Sequence, residues 1–232
     1  KYTGTWVRDA MEGTGTFESA TGQHYEGGWR ANEKEGQGAM KWPSGDTYTG
    51  GWKDSSPDGF GKKEWVNRSS YEGEWMEGKK HGKGTQVWGE GPYLGDKYQG
   101  DWYQGHRSGQ GEYIGTKGKS YVGHWEGDKK NGKGTYTWPN GRSYTGEWKD
   151  DKRSGKGKQT WSQGDKAGDW YDGEWVEGDP HGHGVLYEKK NTASEAYGFT
   201  TEGTFERGKK EGLHVVTYDN GDVFEVTFEK GK

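Results

Sequence analysis

The chain has 232 residues, a formal net charge of −4 and only 25% hydrophobic residues, about half the share usual in globular domains. Three Leu and one Ile exclude a core of branched aliphatics. The absence of Cys excludes disulfides and thiolate zinc sites and leans towards an intracellular compartment. No stretch approaches the roughly 18 apolar residues of a spanning helix, and the negative balance disfavours nucleic acid as a partner.

In place of aliphatics there are 14 Trp, 15 Tyr, 6 Phe and 46 Gly. Disordered chains are poor in aromatics, so the apolar face of an ordered protein must here be made of rings. Those rings recur in register. A Tyr-x-Gly-x-Trp unit begins at Tyr2, Tyr25, Tyr48, Tyr71, Tyr98, Tyr121, Tyr144 and Tyr171, with a worn copy at Thr201 and a last one at Phe224 that has lost the Gly. Successive starts lie 23 residues apart except for spacings of 27, 27 and 30. Seven residues after each Trp stands a Gly-x-Gly, from Gly13/Gly15 to Gly182/Gly184, and the ninth copy keeps Gly212 but has His214 for the second Gly. A further Gly precedes most anchors by three residues. Arg68 takes that place once, after Asn67, which is expected to supply the left-handed turn residue instead.

Tyr, Gly and Trp at alternate positions share one face of a strand. The Gly-x-Gly opens a return strand, which often ends on another ring: Trp42, Trp65, Trp88, Trp138 or Trp161. Turn signals such as Trp42-Pro43-Ser44-Gly45 and Trp138-Pro139-Asn140-Gly141 follow. The expected architecture is all-β: an elongated single-layer antiparallel meander of about ten hairpins over residues 1–232, with no helix and no domain boundary. At about 4.8 Å per strand the ribbon would be about 90 Å long. Extra residues in 89–96, 162–169 and 188–197 read as loops on one long edge. Ring and glycine positions such as Trp125 and Gly123 are expected to carry stability, and Lys129 little.

The unit resembles the MORN repeat (membrane occupation and recognition nexus), most closely in the run from Tyr71 to Gly84 with its His81-Gly82-Lys83-Gly84. The resemblance implies an elongated ribbon and scaffold roles in cilia and cytoskeletons, membrane junctions, or segments appended to enzymes. It carries no catalytic residues, and no cofactor or metal is expected.

Other motifs have plain explanations. The P-loop-like Gly127–Gly134 lacks the hydroxyl residue after its Lys and the following helix. The Asp179-Pro180-His181-Gly182-His183 cluster is a short ligand set for a metal. Carboxylates such as Glu72/Glu74, Asp101, Glu147 and Asp172/Glu174 fall on the face away from the rings, as solvated charge or as an acidic docking column.

Two candidate surfaces remain. The rim rings Trp42, Trp65, Trp88, Trp138 and Trp161 are candidates for protein contact. The basic residues after each Trp, including Lys79, Lys80, Lys129, Lys130, Lys152 and Arg153, are expected in the turns along one edge, where anionic lipid or acidic tails could bind. The reading that follows is a non-catalytic scaffold for other proteins of a structural assembly, a second copy of the chain included. Its expected place is cytoplasmic and cytoskeletal, in a cilium or axoneme and among radial-spoke-head-like components. The alternatives are a membrane tether and a regulatory segment of a larger enzyme.

Overall fold

The computed structural model describes residues 1–189 and 197–232. The chain divides into two units, Lys1–Thr116 and Lys117–Lys232. The first holds β1 (Tyr2–Val7), β2 (Ala10–Glu18), β3 (His24–Arg30), β4 (Glu33–Lys41), β5 (Thr47–Lys53), β6 (Ser56–Glu64), β7 (Ser70–Met76), β8 (Lys79–Val87), β9 (Lys97–Tyr103) and β10 (His106–Ile114). The second holds β11 (Ser120–Glu126), β12 (Lys129–Thr137), β13 (Ser143–Lys149), β14 (Lys152–Thr160), β15 (Trp170–Val176), β16 (Asp179–Glu188), β17 (Phe199–Glu206), β18 (Lys209–Tyr218) and β19 (Val223–Phe228).

Within each unit every strand pairs antiparallel with the next in sequence. The all-β hairpin expectation holds. Among the described residues the only helical element is a 3-10 turn at Gly164–Lys166 in the expected loop 162–169. Most of the expected loop 188–197 lies outside the described residues.

Two local devices set the register. Each Tyr-x-Gly-x-Trp strand ends in a two-residue turn with both residues at positive φ, for example Ala31-Asn32 (50° and 71°) and Glu77-Gly78 (50° and 75°). Such turns match the right-handed twist of a hairpin. The first Gly of each Gly-x-Gly is also left-handed, as at Gly36 (73°) and Gly155 (56°). It sits at a bulge: Gly73 faces Gly84, yet Glu74 faces His81, so the return strand gains residues there. A bulge leaves ladder groups unpaired. Side chains of the facing strand supply partners: Lys83 N–H donates to Glu74 Oε1 (2.9 Å), Gln110 N–H to Asp101 Oδ2 (2.8 Å) and Lys156 N–H to Glu147 Oε1 (3.3 Å). Those carboxylates are therefore fastenings of the fold, a role the acidic-column reading did not contain.

Two details differ from expectation. Arg68 itself adopts the left-handed conformation (φ 66°), while Asn67 Oδ1 accepts the Ser69 N–H at 3.0 Å and steadies the turn. The worn ninth repeat keeps its geometry through an exchange. Thr201 replaces the anchor Tyr, and the ring is supplied from the opposite strand by His214, which covers Gly203, is 1% exposed and packs edge-on against Phe205 at 5.5 Å.

Candidate protein-binding face

Tyr71, Gly73 and Trp75 of β7 lie opposite Gln86, Gly84 and Lys80 of β8. The Tyr71 ring covers the paired glycines, where any Cβ would collide with it. Its hydroxyl donates to the Glu74 carbonyl at 3.0 Å, beside the bulge. Tyr25, Tyr48, Tyr98, Tyr121, Tyr144 and Tyr171 make the same bond at 2.9–3.2 Å. Six of the Trp side chains then reach back one repeat. Trp75 Nε1 donates to the Gly61 carbonyl at 3.0 Å, and Trp29, Trp52, Trp102, Trp148 and Trp175 do likewise to Gly15, Gly38, Gly84, Gly134 and Gly157. Every such indole stands edge-on between two tyrosines, as Trp75 does between Tyr71 (5.0 Å) and Tyr48 (5.4 Å). Such pairs add about 0.5–1.5 kcal/mol beyond area burial.

Burial of these phenols has a consequence for alkaline stability. Their ordinary value is 10.0; desolvation pushes Tyr25 up to about 12 and Tyr48, Tyr71, Tyr121, Tyr144 and Tyr171 higher still, with Asp58, Glu74 and Asp151 adding to the rise at Tyr48, Tyr71 and Tyr121. Between the two values the unfolded chain binds fewer protons than the folded one. Stability is therefore complete below pH 10 and is lost as pH rises, by up to about 1.4 kcal/mol per pH unit for each tyrosine. Tyrosinate absorbance and the near-ultraviolet circular dichroism should change together in one steep alkaline transition. Tyrosinate forming near pH 10 with the fold intact would contradict the burial.

Over this ring face runs a series of cations five residues after each Trp. Lys34 Nζ lies 5.6 Å from the Tyr25 ring and 5.5 Å from Trp52. Lys80 lies 5.1 Å from Tyr71 and 4.7 Å from Trp102. Lys130, Arg153 and Lys210 repeat the arrangement over Trp148, Trp175 and Phe228 at 5.3, 4.2 and 5.2 Å. Met11, Pro57 and Pro180 fill the place elsewhere. Each contact is worth about 0.5–2 kcal/mol as the cation loses water. Burial accordingly holds Lys34 and Arg153 below their ordinary values.

The expected basic edge thus splits in two. Lys79, Lys129 and Lys152 are exposed and open the return strands, while Lys80, Lys130 and Arg153 are half-buried over the rings. None sits in the turn itself. The exposed three meet the next turn: Lys79 donates to Gln104 (2.9 Å), Lys129 pairs with Asp150 (3.1 Å) and Lys152 with Glu177.

The rim rings lie at the opposite edge. Trp42, Trp65, Trp88, Trp138 and Trp161 are all half-buried, and the backbone N–H of each closes its loop, as Trp42 N–H does onto the Asp46 carbonyl at 3.0 Å. Cations cover part of their faces. Lys63 lies 4.6 Å from Trp42 and 5.4 Å from Trp65, Arg142 4.0 Å from Trp138 and Lys166 5.5 Å from Trp161.

The sequence profile of the MORN repeat matches nine segments: 2–24, 25–47, 48–70, 71–92, 98–120, 121–141, 144–166, 171–191 and 202–223. The chain belongs to the MORN-repeat family. No curated protein matches it in sequence. Among solved structures it is similar to the SAS-4 (dCPAP) TCP domain of Drosophila melanogaster, solved with a proline-rich motif of Ana2 (dSTIL), at 10% identity over 97% of each chain and a TM-score of 0.37. A score that low bears on neither function nor binding.

Other features of this MORN array resolve into its hairpins. The P-loop-like segment is the Gly127-Asp128 turn and the opening of β12. No metal-binding cluster is found among the described residues; His183 lies 3.5 Å from Glu202 across the strands. Sequence reasoning passed over Phe60 and Tyr103, which are 63% and 61% exposed, well beyond the rim tryptophans. Phe60 is the middle residue of a Gly-x-Gly and Tyr103 follows its Trp directly, positions whose outward aim is set by the bulge and by strand alternation.

Proposed function

We propose that this MORN-repeat chain is a non-catalytic scaffold that binds other proteins through its rim, in a cytoskeletal or ciliary assembly such as an axoneme or radial spoke head. One observation carries the reading. The same half-exposed indole recurs at the same structural position, Trp42, Trp65 and Trp88 in the first unit and Trp138 and Trp161 in the second, while the inner rings are closed off by neighbours and cations. Tryptophan is among the residues enriched at the energetic centres of protein contacts. The family's known scaffolds make the ciliary setting the first to test.

The test compares two variants in cells that assemble cilia. One changes Trp42, Trp65 and Trp138 to Gln. The other changes Lys79, Lys129 and Lys152 to Ala and leaves the ring-packed Lys80 and Lys130 in place. The first should lose its place in the assembly with its melting temperature preserved, and the second should keep it. Release of the lysine variant from a membrane fraction would instead establish the tether. No cytoskeletal association of the unaltered chain would remove the ciliary setting.

A further inference from the structure

The rim loops are fastened to one another by a rule. The residue two places before an anchor aromatic accepts the backbone N–H that follows the rim position of the next hairpin. Asp46 Oδ1 accepts from Val66 (3.0 Å), Ser69 Oγ from Gly89 (2.8 Å), Asp96 Oδ1 from Thr116 (2.9 Å) and Asp169 Oδ1 from Lys189 (2.7 Å). Where the facing residue is Pro43 or Pro139 there is no N–H to give, and the place holds Gln23 or Lys119.

Arg142 breaks this rule. It faces Ser162, which has an N–H, and a guanidinium cannot accept it. Its Cζ lies 4.0 Å from the Trp138 ring centre, its Nε is buried without a hydrogen-bond partner, and among the described residues its guanidinium makes no ion pair. A second guanidinium, Arg153, lies 6.0 Å from the same ring and donates only to neutral oxygens, Gln159 Oε1 and Gly178 O. Lys119 and Arg142 both act on the Tyr136 phenol, whose ring packs 4.6 Å from Trp138. Two guanidinium groups therefore act on one another at a rim position whose facing N–H has lost its side-chain acceptor, with Asp179 the carboxylate that acts on Arg153.

We propose that Trp138, Arg142 and Arg153 form a receptor for a phosphorylated side chain of a partner protein, which rests on the reading that the rim meets protein. A phosphate monoester carries about −1.5 to −2 charge and three acceptor oxygens, matching two forked donors where a single carboxylate would leave charge uncompensated. A membrane surface fits less well. Of the exposed lysines of the other edge, Lys129 and Lys152 are paired with Asp150 and Glu177 and only Lys79 meets a neutral partner, Gln104, which weakens the attraction of that edge for an anionic leaflet.

The test uses the full chain and Arg142→Asp, which restores the acceptor for the Ser162 N–H. The probes are nonapeptide libraries with a fixed central phosphoserine or serine, inorganic phosphate, and phosphatidylcholine vesicles with and without a phosphoinositide. The phosphoserine library should bind at least about tenfold more tightly than the serine library, with inorganic phosphate competing and the Arg142 Nε–H resonance shifting. Arg142→Asp should erase that margin and melt no lower than the parent. Equal binding of both libraries, a margin that Arg142→Asp retains, a lower melting temperature for that variant, or binding to phosphoinositide vesicles alone would each overturn the assignment. If the libraries bind equally while the tryptophan variant still leaves its assembly, the scaffold reading stands and the phosphate receptor falls.

Discussion

Gly123→Val is expected to abolish folding of its hairpin, a loss beyond about 4 kcal/mol. A Cβ at Gly123 would lie 2.5 Å from Gly134 Cα, 2.6 Å from Tyr121 Oη and 2.7 Å from the Lys133 carbonyl oxygen. Two of these are backbone atoms held by the ladder, and the third belongs to a fully buried ring, so none can yield without breaking the pairing of β11 with β12. Even alanine meets the clash. Gly36→Asn provides the contrast: its φ is 73° and nothing lies within 4 Å of the added carbon. It faces only the left-handed backbone penalty, about 1–2 kcal/mol and smaller for Asn. Thermal melts of the two variants decide the point. Equal losses would mean that turn conformation, and not close packing, fixes these glycines.

Trp175→Ala should cost about 3–5 kcal/mol. The indole is 1% exposed and stands edge-on to Tyr144 and Tyr171, each at 5.1 Å; its Nε1 donates to the Gly157 carbonyl at 2.8 Å, and Arg153 covers it at 4.2 Å. Truncation therefore opens a cavity, leaves a buried carbonyl unpaired and strands a half-buried cation. Trp175→Phe keeps a ring and loses the donor, for a smaller loss of about 1–3 kcal/mol. The exposed Lys129→Ala should change stability by less than about 0.5 kcal/mol. Chemical denaturation followed by tryptophan fluorescence orders the three, and a lysine effect as large as the tryptophan effect would contradict the assignment of faces.

The spacing of Tyr71, Gly73 and Trp75 was enough to read the strands, the shared face and the hairpin period, because alternation within one strand is strict. Reading across a turn is another matter. Lys79 and Lys80 are adjacent, yet one is exposed and reaches Gln104 of the next turn while the other caps three rings, and which is which depends on the two-residue turn and the bulge at Gly82. Neither has a signature within a single repeat. It emerges when the residue five after Trp is compared across repeats, where Lys34, Lys80, Arg107, Lys130, Arg153 and Lys210 align. Likewise His214 looked like the loss of a glycine because its compensation, Thr201, lies on the other strand. The rim tryptophans were legible as positions, but their partial cover by Lys63, Arg142 and Lys166 was not, since those cations come from different places in their repeats.

The reach of six indoles to the carbonyl one repeat back has a consequence for how such a chain can change in length. The junctions made by Trp29, Trp52, Trp75 and Trp102 in the first unit and by Trp148 and Trp175 in the second use the same donor, the same acceptor and the same pair of tyrosines, whereas the ninth repeat has Phe205 and Thr201 in those places. Excising residues 48–70 would bring Trp75 to the Gly38 carbonyl that Trp52 now uses, and Tyr25 would receive the Trp75 edge in place of Trp52. The seam would be chemically indistinguishable from its neighbours. A gene for this protein can therefore gain or lose whole hairpins by unequal recombination without passing through a misfolded intermediate, whereas an insertion of one residue within a strand would turn a ring to the wrong face.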